Sequence, residues 1–226
     1  NLILTAMLDM NGSLKDSISY LSKLLDVKHR VLPISEDSKI TLMGKDYDGN
    51  IVEGEHQITS AHRKFETIYY KEEPEVVPEV LDAIKEADLI LLSMGSLYTS
   101  VLPNVICKEV KDALNKTKAP IVYLCNVVTQ PGETDKFTVG DHVEMINRYL
   151  ETRKLTAVIA SNTKIDKKIA KKYYTEEQKD PVPIDHDKLK ELGVELIEDD
   201  LIIVEDNILR HNSLKLSSLI FSYLMR

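Results

Sequence analysis

Three short polar segments hold the side chains of this sequence best suited to chemistry. The first runs Ser93-Met94-Gly95-Ser96-Leu97-Tyr98-Thr99-Ser100. Gly95 permits close backbone approach, and Ser96, Thr99 and Ser100 add hydroxyl donors around it. A loop of this kind that runs into a helix can turn its N–H groups toward one point, where the helix dipole favours an anion. The second segment runs from Asn126 through Val127-Val128-Thr129-Gln130-Pro131-Gly132-Glu133-Thr134 to Asp135. Asn126, Thr129 and Gln130 suit the reading of a base or sugar edge. Glu133 and Asp135 can accept from sugar hydroxyls, hold Mg²⁺ or act as a general base. Asp141 and His142 open the helix that follows. The third segment is Asp206-Asn207-Ile208-Leu209-Arg210-His211-Asn212, in which Arg210 can grip a phosphate through two parallel hydrogen bonds. His211 and Asn212 lie near the start of the last helix.

Every one of these residues also has a plain structural use. Ser, Thr and Asn cap helices, Pro131-Gly132 makes a turn, and Asp141 balances the charge of a helix start. A lone histidine such as His142 serves packing more often than chemistry.

The elements that must position these segments follow from the pattern of apolar residues. The chain has 226 residues, of which 43% are hydrophobic and 29% charged, the composition of a water-exposed protein with a sizeable core. From Pro74 the rhythm is βα. A helix over 76–87 precedes a buried strand over 88–92, a helix over 102–114, a strand over 120–125, a helix over 138–150 and a strand over 155–160. Continuous apolar strands separated by helices indicate a parallel sheet covered on both faces. Ligands bind outside the carboxyl ends of such strands, where the first two polar segments lie. Residues 30–70 differ. Strand-like runs at 30–34, 39–43, 51–58 and 65–70 surround the turn Tyr47-Asp48-Gly49-Asn50, and predict a small antiparallel insert. Two short strands at 194–197 and 201–204 and a closing helix from Asn212 complete the chain. The start, in an apolar helical run before Asn11-Gly12, reads as that of a chain lacking earlier residues. Ser13 is the expected N-cap of a second helix, with Leu14, Ile18, Leu21, Leu24 and Leu25 on its apolar face.

Charge and cysteine content narrow the function classes. A net charge of −8 argues against nucleic acid, whose binding requires a basic stripe. Phosphate ligands stay open, because backbone amides can hold them. The 2 cysteines, Cys107 and Cys125, fit no zinc or disulfide pattern and are expected to be buried thiols. No segment approaches the roughly 18 apolar residues that span a bilayer, and no signal peptide is evident, so a cytoplasmic location is expected. The lysines at 167, 168, 171 and 172 read as a solvated helix face.

Taken together, the three segments are more specific than any one. Gly95-Ser96-Leu97-Tyr98-Thr99-Ser100-Val101-Leu102-Pro103-Asn104 resembles a hallmark of the gluconeogenesis factor family, bacterial proteins related to 2-phospho-L-lactate transferase. Cys125-Asn126, Thr129 to Asp135 and Asp141-His142 resemble its second hallmark, and Leu209-Arg210-His211-Asn212 its third. Asn1-Leu2 and the run from Lys28 to Pro33 also fit, so the resemblance covers essentially the whole chain. It implies a single Rossmann-like αβα domain over 1–226, with the small β insert at 30–70. It further implies binding of a nucleotide or nucleotide-sugar such as UDP-N-acetylglucosamine, and a role in cell shape and envelope synthesis on gluconeogenic carbon sources. Ligand contacts are implied for Gly95, Ser96, Tyr98, Thr99, Ser100, Asn126, Thr129, Gln130, Gly132, Glu133, Thr134, Asp135, Asp141, His142, Arg210, His211 and Asn212. No catalytic residue and no metal ligand is assigned.

Two further readings stand beside this one. The first is a transferase that moves a phospholactyl group from a nucleotide with Mg²⁺, and the second an interaction module without a ligand. A homodimer is compatible with all of them. The sequence departs from the family pattern in lacking its glycine-rich first strand–loop–helix and the acidic, glycine-rich segment after it. Ser93-Met94 also stands where Gly-Pro is usual, and Lys136-Phe137 and Gly140 replace Gly-Tyr and Ser.

Overall fold

The computed structural model describes residues 2–206 and 208–226. Asn1 and Asn207, both part of the segments singled out above, lie outside the described residues. The chain opens with α1 (Leu2–Asn11) and α2 (Leu14–Leu24). The insert follows as β1 (Leu42–Asp46), β2 (Ile51–Glu53), α3 (Glu55–Ser60) and β3 (Phe65–Tyr70). Next come α4 (Pro78–Glu86), β4 (Ile90–Leu92), a π-helical turn (Leu97–Val101), α5 (Leu102–Ile106) and α6 (Lys108–Lys116). Then β5 (Ile121–Leu124), α7 (Val139–Leu150), β6 (Ala157–Ser161), α8 (Lys167–Glu177), α9 (His186–Glu191) and β7 (Glu195–Asp199). Finally β8 (Ile202–Glu205) and β9 (Ile208–His211) precede α10 (Ser213–Leu224).

Strands β4, β5, β6 and β7 pair in that order, all parallel, in one four-stranded sheet. Their side chains alternate between two packed faces, as strand geometry requires. Ile121, Tyr123, Val158 and Ala160 meet α7 through Val139, Val143, Ile146 and Leu150. Val122, Leu124, Ala157 and Ile159 meet α10 through Leu216, Leu219 and Ile220. The result is the α/β architecture expected, with helices on both faces of a parallel sheet. No helix of the described residues is long and apolar enough to cross a membrane.

The insert is antiparallel, in the order β2-β1-β3. Its hairpin closes at the expected turn, with Gly49 at φ 86 and the Asp46 N–H bonded to the Asn50 carbonyl at 2.9 Å. Several expectations fail. Residues 30–34 are irregular rather than a strand, and only the Ile34 carbonyl finds a backbone partner, the Val77 N–H at 2.8 Å. The return strand ends at Glu53, because Gly54 takes φ 97 and turns the chain into α3. The helix expected over 102–114 is also interrupted, at Cys107 with ψ 123. On α2, Ser13 caps as expected, accepting from the Asp16 N–H at 3.1 Å, but Leu24 and Leu25 are exposed.

Candidate functional site

At the carboxyl end of β4 the chain turns sharply at Gly95. A Cβ there would stand 2.7 Å from that of Ser100, so the turn admits only glycine without a shift. The Ser96 carbonyl then takes both the Ser100 and Val101 N–H groups at 2.9 Å and starts the π-helical turn. An anion already sits in this loop. Glu133, from the loop after β5, accepts the Ser96 hydroxyl at 2.7 Å and the Tyr98 N–H at 3.4 Å on the same oxygen. Its other oxygen takes the Gln130 amide at 2.9 Å. Burial pushes the Glu133 carboxyl up from its ordinary range, opposed by the Ser96 and Tyr98 donors.

The second loop is tied down from several directions. The Thr129 backbone and hydroxyl both meet the Asp180 backbone, at 2.8 and 2.9 Å. Thr134 accepts the Gln130 N–H at 2.8 Å, and Asp135 accepts the Gly132 N–H at 2.9 Å. Gly132 has φ 80, and a Cβ on it would lie 2.1 Å from the His62 Cα. The insert is thus docked directly on this loop. Asn126 reaches across to the first loop and donates to the Gly95 carbonyl at 3.0 Å, while accepting from the Tyr123 hydroxyl at 3.2 Å.

At the start of α7, Thr138 and Asp141 form a reciprocal capping box. Asp141 also holds Lys188 at 2.6 Å. Burial pushes the Asp141 carboxyl up, but the Lys188 ammonium and the Thr138 donors outweigh it and keep it below its usual range. His142 is buried between Tyr123 and Phe137, with ring centroids 6.2 and 5.3 Å away, and its Nδ1 donates to the Thr138 carbonyl at 2.8 Å. Burial lowers its pKa and keeps the imidazole neutral.

Ile208 to His211 of the third segment form β9, a strand not among those expected. Arg210 is exposed, with Nε 3.4 Å from Glu205. His211 is half-buried beside the backbone of Cys125, and its Nε2 is enclosed without a hydrogen-bond partner among the described residues. Burial lowers the His211 pKa, against the pull of the Cys125 backbone. Asn212 caps α10 through the Lys215 N–H at 3.1 Å.

Residues 1–202 match the family described as 2-phospho-L-lactate transferase CofD. The chain belongs to the CofD family. It is 35% identical to the gluconeogenesis factor of Bacillus subtilis over 99% of this chain and 70% of that relative. With the gluconeogenesis factor of Halalkalibacterium halodurans it shares 38% identity over 97% of this chain and 68% of the relative. A crystal structure of a UPF0052-family protein from Bacillus halodurans superposes with a TM-score of 0.92 at 38% identity, covering 97% of this chain and 71% of that one.

In this CofD-family chain only some of the expected contact residues are joined to one another. Hydrogen bonds and close approaches link Ser96 to Thr99 and, through Glu133, to Gln130, Gly95 to Ser100 and Asn126, and His211 to Cys125 beside Asn126. Tyr98 is turned away from them. It is buried in the core, edge-on to Phe65 at 5.7 Å, with its hydroxyl on the Phe65 carbonyl at 3.4 Å. Thr129, Thr134 and His142 are equally enclosed, and Asp141 is engaged by Thr138 and Lys188. Sequence reasoning missed the residues that hold the loops: Asp180, Asp185, Lys188, His62 and Phe65. One signal was available. Gly140 stands where Ser is usual, and a Cβ there would meet Asp185 Oδ2 at 2.6 Å, the atom that accepts the Thr138 hydroxyl.

Proposed function

We propose that this protein acts in gluconeogenic growth as a regulator that binds a nucleotide sugar such as UDP-N-acetylglucosamine at the meeting point of the three segments. The observation that carries the reading is their convergence. His211 lies against Cys125, the next residue Asn126 reaches Gly95, and the enclosed His211 Nε2 is left as a donor or acceptor for a ligand. Arg210 is held only by an exposed ion pair, worth about 0–1 kcal/mol, and is free to turn to a diphosphate. The relatives called gluconeogenesis factors favour the same cellular setting, and a role in cell shape and envelope synthesis belongs to this reading.

The family description favours a second reading, transfer of a phospholactyl group from a nucleotide with Mg²⁺. The residues present do not suit that ion. Glu133 has both oxygens committed to Ser96, Tyr98 and Gln130, and Asp135 is turned to the Gly132 N–H. Among the described residues no group of three or more His, Cys, Asp or Glu side chains gathers as a metal site.

Calorimetric titration with UDP-N-acetylglucosamine, and separately with GDP plus Mg²⁺, separates the readings. Saturable binding of the UDP-sugar that weakens about tenfold or more in Arg210→Ala is the expected outcome. Preference for GDP with Mg²⁺, or release of a nucleoside monophosphate, would move the assignment to the transferase. Binding of neither would leave a ligand-free interaction module.

A further inference from the structure

Away from the three loops, α2, the segment that follows it and the start of α4 enclose a cavity of about 420 Å³. Its charge is opposite to that of the molecule. Lys15, Lys23, Lys28 and Arg30 line it against Asp16 and Glu79, whereas the whole chain carries −8. Lys15 Nζ is paired with Glu79 at 2.7 Å, and Lys28 Nζ with Asp26 at 2.5 Å. Two cations remain. Lys23 lies over the Tyr20 ring, 5.6 Å from its centroid, and Arg30 has no ion pair or hydrogen bond among the described residues and meets Glu79 only through longer-range attraction. The Ser19 and Ser22 hydroxyls and the His29 imidazole line the same space, also without side-chain partners among the described residues.

Like charges held in one cavity repel, and an anion between them relieves the repulsion. A guanidinium, an ammonium and hydroxyl donors together are the chemistry that grips phosphate oxygens. A larger cavity of about 620 Å³ between α4 and α6 lacks this bias, since Lys85, Lys116 and Lys118 are matched there by Asp82, Glu109 and Asp112.

We propose that the cavity beside α2 is a second anion site, which takes the phosphate or pyrophosphate group of a small molecule between Arg30, Lys23 and the hydroxyls of Ser19 and Ser22. It shares no lining residue with the loops around Gly95, Asn126 and His211, and is separate from the nucleotide-sugar site.

The test is calorimetric titration of inorganic pyrophosphate into the protein and its Arg30→Ala, Lys23→Gln and Arg210→Ala variants. Saturable binding is expected, weakened about tenfold or more by either of the first two changes and retained in the Arg210→Ala variant, which lacks the arginine assigned to the diphosphate of the nucleotide sugar. Three results would overturn the proposal: no saturation in the millimolar range, equal affinity in the protein and Arg30→Ala, or loss of binding in Arg210→Ala alone. Arg30 and Lys23 are exposed, and a thermal melt of each variant verifies its fold. If one variant is unfolded, the other decides.

Discussion

At the scale of single residues, the site is shaped by groups that satisfy one another before any ligand arrives. Glu133 fills the helix start that its neighbours leave open, and the Ser96 hydroxyl that donates to it accepts in turn from Thr99 at 2.7 Å. A ligand phosphate entering this corner would meet a carboxylate, which on the proposed reading leaves it to Arg210, once turned from Glu205, and to the unpartnered His211 Nε2. His142 illustrates the cost of enclosure. Burial lowers its pKa from the ordinary 6.5, so the unfolded chain takes up a proton that the folded chain resists. The stability that follows is complete above pH 6.5 and is lost as pH falls through the lowered folded value. The His142→Phe variant keeps the ring stack on Tyr123 but lacks the bond to the Thr138 carbonyl. It is expected to be about 1 kcal/mol less stable at pH 8, and to lose less stability than the parent on acidification. Urea unfolding across pH 8 to 5 measures both. An equally steep acid limb in the variant would assign the sensitivity to other groups.

At the scale of elements, capping and strand ends decide what a side chain is free to do. The parallel strands, the hairpin turn and the start of α7 were all legible in the sequence, because apolar runs and turn residues act locally. The pairing of Asp141 with Lys188 was not. Its partners Thr138 and Lys188 stand 3 and 47 positions away, and only the second, brought in by α9, turns a cap into an ion pair. The same holds for β9, which pairs with β8 from Ile202 to Glu205 and so places Arg210 and His211 on a strand that the local pattern does not show. Gly54 misled in the other direction, since alternation continued past it while its φ of 97 ended the strand. If Asp141 serves the fold, Asp141→Ala removes the capping box and the Lys188 pair. A loss of about 1–2 kcal/mol is expected in thermal unfolding, with UDP-sugar affinity of the folded protein unchanged. A large fall in affinity at full stability would make Asp141 a ligand contact instead.

At the scale of the whole molecule, the insert and the sheet share one core. Leu42, Ile58, Phe65 and Ile68 of the insert pack in the same cluster as Ile121, Tyr123 and Val143. Phe65 is the joint between them. It is fully buried, it meets Tyr98 of the first loop edge-on at 5.7 Å, and its carbonyl accepts the Tyr98 hydroxyl. Beside it, His62 lies against Gly132 of the second loop, and Lys64 sits over Phe137, with Nζ 5.0 Å from the ring centroid. Both candidate loops are therefore braced by the insert. Two consequences are expected of Phe65→Ala. Stability falls by about 3–5 kcal/mol, as for other large aromatic residues cut from a core. The loops at 93–100 and 126–135 also lose protection in hydrogen exchange together with β3, because the cavity opens under Tyr98. If the exchange change stayed within residues 42–70, the insert would be an independent unit and its contact with the loops would carry no strain. Spread into both loops, it would mean that the precision of the ligand site is set by a small sheet that touches no ligand itself.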